Sequence, residues 1–268
     1  MKQIKIHAAS TGIGNQIQFI PFIQWFRQQG YQVITDSTVL PQLTNCYKSK
    51  HKAPINFIVY GHSFWDMLRI RLTTLGRIYH FSPILRGKPL RLKNSVVFDF
   101  GVPELLNNHL LTVLFSSTPN SYKIPRTKKM IPGKVIIGAT LRKGGLGFDK
   151  YVQLLRTVER ISTVDDCILP EYHVDTPTIK DLYDELSTAE YYIGTDTGVT
   201  HLADIIGLKM VVVWGSNYYT KNKPVNKHKV LHKGLDCQPC SKNGQAVDCD
   251  YECMDFDVDE IIGELNNF

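Results

Sequence analysis

A turn of small hydroxyl residues between two apolar runs has the composition of an anion-binding loop. Residues 192–216 read YIGTDTGVTHLADIIGLKMVVVWGS, so an apolar run ends at Gly194, the turn TDTG follows, and a helical pattern begins at once. Backbone N–H groups at the start of a helix have no acceptor within the helix and carry about half a positive charge. A glycine among small side chains lets a diphosphate approach those groups closely. The segment therefore favours a diphosphate site, although a buried helix capped by Thr197 or Asp196 would explain the same residues.

Four of the six cysteines form a second group of residues that could bind a metal. They are spaced as Cys237-x2-Cys240 and Cys249-x3-Cys253, which is compatible with a closed tetrahedral zinc site. The second pair is one residue wider than the usual zinc knuckle, so packed reduced thiols are the alternative. A structural zinc at these cysteines is one prediction, and the sequence calls for no other cofactor.

The composition is that of an ordinary globular protein, with 43% hydrophobic and 21% charged residues among 268. No apolar stretch reaches the ~18–20 residues that cross a bilayer, so we expect a cytoplasmic chain without stable membrane insertion. The net charge of +6 is modest and serves solubility, but it also suits an anionic ligand or acceptor. Basic residues cluster between Arg69 and Lys93, in the N-terminal half and away from the TDTG turn.

Short β runs alternate with helical stretches along the chain, which is typical of α/β layers around parallel sheets. The pattern predicts strands at 3–8, 96–100, 135–139 and 191–194 and helices at 15–29, 149–161 and 199–206. Segment 121–134, with two prolines, a glycine and five basic residues, is the candidate linker. We therefore predict two Rossmann-like domains, 1–125 and 134–268, with a cleft between them.

The stretch 182–216, LYDELSTAEYYIGTDTGVTHLADIIGLKMVVVWGS, resembles the donor motif of glycosyltransferase family 9, the lipopolysaccharide heptosyltransferases. That family typically has an acidic D-T-G-x-x-H-L-A turn, a strand that ends in glycine, and a loop with a proline, which is Pro224 here. The cysteine segment 237–254 and the opening STGIGNQIQFIPFIQWFRQQG at 10–30 are also similar. The resemblance is strongest over 182–265 and is not visible between residues 40 and 120.

The resemblance implies a GT-B-like fold in which the second domain binds a nucleotide sugar and the first binds the acceptor. It implies an inverting, metal-independent transferase with an ADP-heptose-type donor. Positions that correspond to the family's donor-binding residues are Gly14, Thr195, Thr197, Gly198, Val199, Thr200 and His201, together with Thr140, Arg142 and Lys143 in the run GATLRKGGLG at 138–147. Cationic groups and helix N–H donors of this kind would stabilise the leaving diphosphate without a metal.

The catalytic positions implied by the resemblance are Asn15 and Asp196. The family usually has an aspartate general base where this chain has Asn15. A carboxamide cannot take up a proton at neutral pH, although it can orient a hydroxyl. His62, Asp66 and Asp99 are therefore candidate bases, with ordinary surface or capping roles as the alternative for each.

Two other functions compete with this interpretation. The opening Gly12-Ile13-Gly14-Asn15-Gln16 is also similar to fucosyltransferases that use GDP-fucose, but their H-x-R-x-G-D motif does not occur in this sequence. The second alternative is a non-catalytic nucleic-acid-binding module, with Tyr79 and Phe81 near a basic cluster for stacking. The predicted partners are thus a nucleotide sugar and an anionic acceptor, which is a glycan, a lipid-linked sugar or a nucleic acid. The predicted location is the cytoplasm or the inner surface of the membrane.

Overall fold

The computed structural model describes residues 2–9, 11–74, 76–82, 84–85, 88–89, 92–99, 103–113, 121–138, 146–164, 169–240 and 250–268. The chain divides into two compact units, residues 1–124 (unit 1) and 125–268 (unit 2). This division falls within the segment that the sequence suggests as a linker. No helix in the described ranges is long and apolar enough to cross a membrane.

Unit 1 follows the alternating pattern of strands and helices that the sequence predicts. Its elements are β1 (Gln3–His7), α1 (Ile13–Ile17), α2 (Ile20–Gln28), β2 (Gln32–Thr35), α3 (Leu40–Leu43), β3 (Tyr47–Lys48), β4 (Ile55–Ile58), α4 (Phe64–Thr73), β5 (Arg77–Phe81), β6 (Ile84–Leu85), β7 (Lys88–Pro89), β8 (Ser95–Val96) and α5 (Glu104–Val113). Six strands form one parallel sheet in the order β3-β2-β1-β4-β5-β8. Strands β6 and β7 form a separate antiparallel pair.

The core of unit 1 is aromatic. Phe57 of β4 stacks on Tyr79 with ring centroids 5.0 Å apart, and it contacts Phe26 of α2 at the same distance. Phe19 is also fully buried, 6.1 Å from the Phe57 ring. Burial of each such ring stabilises the fold by roughly 1.5–3 kcal/mol, so these contacts fix α2 against the sheet.

Two predicted elements of unit 1 are wrong in extent. The single helix predicted at 15–29 is two helices, because Pro21 lies in the first turn of α2 and cannot donate to the preceding turn. The strand predicted at 96–100 ends at Val96, and Val97, Phe98 and Asp99 are not part of a strand. The apolar run VVFDF predicts a buried strand, but the Phe98 ring stacks on the Tyr60 ring with centroids 3.8 Å apart.

Unit 2 has a second α/β layer. Its elements are β9 (Val135–Gly138), α6 (Phe148–Thr157), β10 (Ile161–Thr163), α7 (Ile179–Thr188), β11 (Tyr191–Thr195), α8 (Gly198–Ile206), β12 (Lys209–Trp214), α9 (Tyr219–Asn222), β13 (His228–His232) and α10 (Val258–Asn266), with short 3-10 helices at Pro170–Tyr172 and Glu252–Met254. Five parallel strands run in the order β10-β9-β11-β12-β13. The predicted α/β class with two Rossmann-like units is therefore confirmed. The helix predicted at 149–161 is too long, because Ile161 already belongs to β10.

Part of the predicted linker is anchored to unit 2. The Arg126 guanidinium donates to the carbonyls of Ser187 and Ala189, at 2.8 and 2.5 Å, where α7 ends. The Tyr183 hydroxyl donates to the carbonyl of Pro125. These bonds satisfy carbonyl groups that the end of a helix leaves open, so this stretch is ordered by α7.

Candidate functional site

The TDTG turn lies where the strand order of unit 2 reverses. Counted from the start of the unit, the sheet order is second, first, third, fourth and fifth, so β9 and β11 are the strands on either side of the reversal. In open α/β sheets, ligands bind beyond the carboxyl ends of the strands at such a point. β9 ends at Gly138, and β11 ends at Thr195, which is the first residue of the turn.

A tyrosine fixes the packing beneath this turn. Gly138 and Gly194 are paired across β9 and β11, and a Cβ on either would clash with the ring of Tyr192. The Tyr192 hydroxyl donates to the Gly138 carbonyl at 3.2 Å and lies 3.0 Å from the Thr200 hydroxyl on α8. Thr200 in turn donates to the Thr195 carbonyl. The two glycines are therefore needed so that one buried ring can hold β9, β11 and α8 together.

Two hydroxyl groups at the turn are buried and unpaired within the described residues. They are Oγ1 of Thr195 and Oγ1 of Thr197. Thr197 is the N-cap residue of α8 in extended conformation, yet its side chain makes no capping hydrogen bond, and the first turn of α8 contains no acidic residue. An unpaired buried hydroxyl costs roughly 1–3 kcal/mol. The capping explanation thus does not apply to the Thr197 side chain, and the turn combines open helix amides with two open hydroxyls.

Asp196, between these threonines, is held by amide side chains from the next loop. Its Oδ2 accepts from Asn217 Nδ2 at 2.6 Å and from Asn222 Nδ2 at 2.9 Å. Its Oδ1 lies 3.8 Å from His201 Nε2, and the Asp196 side chain is only 10% exposed. The carboxylate therefore ties the turn to the segment after β12.

His201 lies between two carboxylates on the buried side of α8. Burial lowers the pKa of His201, although the nearby Asp196 and Asp204 act in the opposite direction. Burial raises the pKa of Asp204, while the amides of Val225 and Asn226 donate to it at 3.0 and 2.8 Å and oppose that shift. His201 is 7% exposed as a residue, so its ring packs mainly within the loop network.

Three polar residues of this site escape prediction from the local motif. Asn217 and Asn222 hold Asp196, and the positive charge of Lys221 is close enough to lower the pKa of His201. All three follow β12, whose carboxyl end lies beside that of β11. The polar stretch SNYYTKN after Gly215 could have indicated them, because neighbouring parallel strands bring their following loops to one edge.

In unit 1, the glycine loop after β1 also lies at a reversal of strand order, between β1 and β4. Asn15 of α1 donates through Nδ2 to the Tyr60 carbonyl at 3.0 Å. Gly61 has φ 103°, and a Cβ there would meet Asn15 Nδ2 at 2.5 Å. Asn15 thus fastens the loop after β4 to α1, with Gly14 beside it in the same helix. A carboxylate at this position could not donate the hydrogen bond that the Asn15 carboxamide gives to the Tyr60 carbonyl.

A cluster of two histidines and an aspartate lies at the same edge, and of these the sequence pointed only to His62. Asp36 Oδ1 accepts from the amides of Ala8 and Ala9 at 2.7 and 2.9 Å, and Oδ2 lies 3.3 Å from His7 Nδ1. Burial acts to raise the pKa of Asp36, but the hydrogen bonds from His7 and Ala8 outweigh it and the pKa is lowered.

Of the three candidate bases, His62 has an open ring nitrogen. Its Nε2 lies 3.0 Å from the His7 carbonyl and so carries the proton, while Nδ1 is buried with no partner in the described ranges. Burial lowers the pKa of His62. Asp66 instead lies in the first turn of α4, where its amide donates to Oγ of the N-cap residue Ser63 and its carboxylate accepts from that hydroxyl. Asp99 is exposed, and its backbone amide and carbonyl bond the Asn107 side chain.

No protein-family model matches the chain. Two curated proteins resemble part of it, and both are named lipooligosaccharide heptosyltransferase 2, from two strains of Campylobacter jejuni subsp. jejuni. The serotype O:6 protein is 26% identical over 91 residues, which cover 33% of this chain and 28% of that protein. The serotype O:2 protein is 27% identical over 93 residues, which cover 34% and 29%. The similarity thus spans less than a third of each relative's length.

Solved structures extend the likeness to the whole chain. The E. coli ADP-heptose LPS heptosyltransferase II aligns with a TM-score of 0.66 at 10% identity, over 100% of this chain and 98% of that one. The E. coli heptosyltransferase WaaC with ADP-2-deoxy-2-fluoro heptose aligns with 0.64 at 11%, over 86% and 93%. A family 9 glycosyl transferase from Veillonella parvula aligns with 0.64 at 13%, over 99% and 96%.

This chain has a heptosyltransferase-like fold. The resemblance to glycosyltransferase family 9 that the sequence indicates is confirmed, and the relatives and neighbours named above are glycosyltransferases. The roles of individual residues stay predictions, among them the catalytic roles of Asn15 and Asp196. Thr140, Arg142 and Lys143 lie outside the described residues.

The cysteine group of this heptosyltransferase-like chain is only partly described. Cys253 is buried beside Met254, where both pack against Gly215, and Cys237 is exposed. Within the described ranges, no three His, Cys, Asp or Glu side chains form a group that could hold a metal, and Cys249 lies outside those ranges. A structural zinc is therefore not supported. One neighbour in fold, the dodecameric glycosyltransferase TibC from enterotoxigenic E. coli, is iron-containing, with a TM-score of 0.61 at 13% identity over 99% of this chain and 75% of that one.

Proposed function

We propose that this protein is a glycosyltransferase that moves a sugar, of the heptose type, from a nucleoside diphosphate to a hydroxyl of an anionic glycan acceptor. Residues 134–268 bind the donor and residues 1–125 bind the acceptor. The observation that carries the proposal is the pair of buried hydroxyls of Thr195 and Thr197, which have no partner among the described residues, beside the N-terminus of α8. Support for the donor comes from the structural neighbours whose names include ADP-heptose or a fluoro analogue.

In this proposal, the leaving diphosphate is stabilised by short-range donors. The first amides of α8 and the hydroxyls of Thr195 and Thr197 donate to the phosphate oxygens. These hydrogen bonds become stronger as negative charge develops on the phosphate during cleavage of the glycosidic bond. Lys221 supplies a positive charge from α9. Asp196 is a positioning residue, since its carboxylate already accepts from Asn217 and Asn222.

At the acceptor end, His62 takes the proton from the attacking hydroxyl. Its Nδ1 carries a lone pair at neutral pH because Nε2 holds the proton and burial disfavours the charged ring. Nδ1 is enclosed by its neighbours, so the acceptor must reach it as they move aside. Attack from the face opposite the diphosphate would invert the anomeric centre, and we propose that the transfer needs no metal.

Calorimetric titration of the full chain with ADP, GDP and UDP tests the donor site. We expect ADP to bind, and Lys221→Met to weaken it by about tenfold, the value of one charge-assisted contact. Lys180→Met is the matched control, because Lys180 lies on α7 and pairs with Asp184 on the surface. Absence of binding by all three nucleotides would refute the proposed function. Product NMR with and without a chelator tests inversion and metal independence.

A further inference from the structure

Helix α4 has a second apolar face that points to solvent. Its buried side packs Met67 and Ile70 against Ile58 and Ile78. On the opposite side, Trp65 is 74% exposed, Leu72 is 79% exposed and Leu68 is 36% exposed. Positions i, i+3 and i+7 share one face of a helix, so these three side chains form a continuous apolar strip.

Among the side chains that the structure describes, no other helix carries three exposed large apolar residues on one face. The outward side of α7, for example, carries a Lys180–Asp184 ion pair at 2.6 Å. Single exposed apolar residues are normal on protein surfaces, but a strip that includes a tryptophan is typical of an interaction surface. Arg69 is exposed on the same face of α4, four residues after Trp65.

The two units differ sharply in charge. Residues 1–124 contain 14 Lys and Arg and 4 Asp and Glu, a net charge of +10, whereas residues 125–268 contain 17 and 21, a net charge of −4. The exposed strip therefore belongs to a strongly basic unit. Such an asymmetry attracts a polyanionic surface to one unit alone.

We propose that the outward face of α4, formed by Trp65, Leu68, Arg69 and Leu72, docks unit 1 onto an anionic lipid surface. The two leucines and the indole enter the headgroup region, where tryptophan is favoured, and the basic unit provides the attraction to acidic headgroups. The helix lies flat on the surface and does not cross it, in agreement with its length of ten residues.

The other occupants fit less well. A second copy that docks through the same face would bring two units of charge +10 together, which is repulsive. A nucleic acid would accept the charge and stack on Trp65, but Leu68 and Leu72 offer it no stacking surface. A lipid surface with acidic headgroups uses both the charge and the aliphatic side chains.

Tryptophan fluorescence gives a selective test, because Trp65 is the exposed member of the three tryptophans while Trp25 and Trp214 are buried. The full chain is mixed with vesicles of phosphatidylglycerol and phosphatidylcholine in equal parts, and with pure phosphatidylcholine. We expect co-sedimentation with the anionic vesicles and a blue shift of the emission that is absent in Trp65→Phe. The double change Leu68→Ser with Leu72→Ser should weaken binding by about tenfold or more.

Tyr47→Ser is the matched control, since Tyr47 is 64% exposed on the edge strand of the same unit. If the double variant loses thermal stability, Arg69→Glu tests the face by charge alone and should also release the protein. Unchanged vesicle binding in these variants, a shift in oligomeric state that they abolish, or binding of an oligonucleotide in place of vesicles would each overturn the inference. Nucleotide binding by unit 2 is measured without lipid, so failure here leaves the proposed transferase intact.

Discussion

The unpaired threonine hydroxyls at the TDTG turn predict opposite effects on stability and on donor binding. A Thr→Val change keeps the shape of the side chain and removes the hydroxyl. In Thr195→Val and Thr197→Val, the change relieves a buried group that lacks a partner in the described structure. Because that group costs roughly 1–3 kcal/mol, we expect each variant without ligand to be more stable by about 1 kcal/mol. For a unit of this size, that raises the melting temperature by about 2–4 °C.

Donor binding should change in the other direction. A hydrogen bond to a charged phosphate oxygen is worth roughly 1.5–3 kcal/mol, so each Thr→Val change should raise the Kd for ADP by about 10- to 150-fold. Thr200→Val provides the control, because the Thr200 hydroxyl already bonds the Thr195 carbonyl and Tyr192. That variant should lose roughly 1–3 kcal/mol of stability.

Urea unfolding of the free protein and calorimetric titration with ADP measure the two effects separately. The reasoning is refuted if Thr197→Val and Thr195→Val destabilise the free protein as Thr200→Val does and leave the Kd unchanged. In that case the hydroxyls serve the fold and not the ligand.

Three further predictions concern packing, pH and the acceptor end. Gly194→Ala should destabilise unit 2 by roughly 1–3 kcal/mol in urea unfolding, because the added Cβ meets the Tyr192 ring, whereas Gly263→Ala in α10 meets nothing within 4 Å and should stabilise by about 0.5–1 kcal/mol. Burial lowers the pKa of His62, His80 and His201 in the folded state. Below the ordinary histidine pKa near 6.5, the unfolded chain therefore binds more protons than the folded chain, and the free energy of unfolding should decrease as the pH drops through that range. The dependence of this free energy on pH should be smaller in His80→Asn. Asn15→Asp should lower stability by roughly 1–3 kcal/mol, since a carboxylate would face the Tyr60 carbonyl. If His62 is the base, we expect kcat/KM of the wild type to fall at acid pH and this fall to be absent in His62→Gln. An unchanged pH–rate profile in His62→Gln would exclude His62 as the base.

The place of the TDTG turn in the fold could be predicted because its signal is local. The strand that ends at Thr195 and the helix that starts at Gly198 are only two residues apart in sequence, so their order alone places amides at a strand end. The partners of Asp196 could not be predicted in this way. Asn217 and Asn222 lie 21 and 26 residues further on, and only the pairing of β11 with β12 brings them to the turn.

Helix α4 is not predicted by the sequence, for a different reason. Pattern recognition depends on contrast between an apolar and a polar face, but α4 has apolar residues on both its buried and its exposed side. Apolar residues on both faces make the helix hard to predict from the sequence, and those on its outer face are the basis for proposing a binding surface there. Asn15 shows the converse limit, since its departure from the family's aspartate was visible in the sequence, but its bond to the Tyr60 carbonyl, 45 residues away, was not.

Because the two units differ in net charge, binding of the donor and binding of the acceptor should respond differently to salt. In the proposed function, unit 2, at −4, repels the donor diphosphate at long range, so donor binding would depend on contacts at hydrogen-bond distance, which salt screens little. Unit 1, at +10, attracts an anionic acceptor over a distance of about 10 Å, which salt does screen. Raising the ionic strength should therefore raise KM for an anionic acceptor steeply and KM for the nucleotide sugar only slightly. Steady-state kinetics in which each substrate is varied across a salt series would measure these two changes. An equal rise in KM for both substrates would mean that lysine and arginine side chains dominate donor binding, and not the amides and hydroxyls at the start of α8.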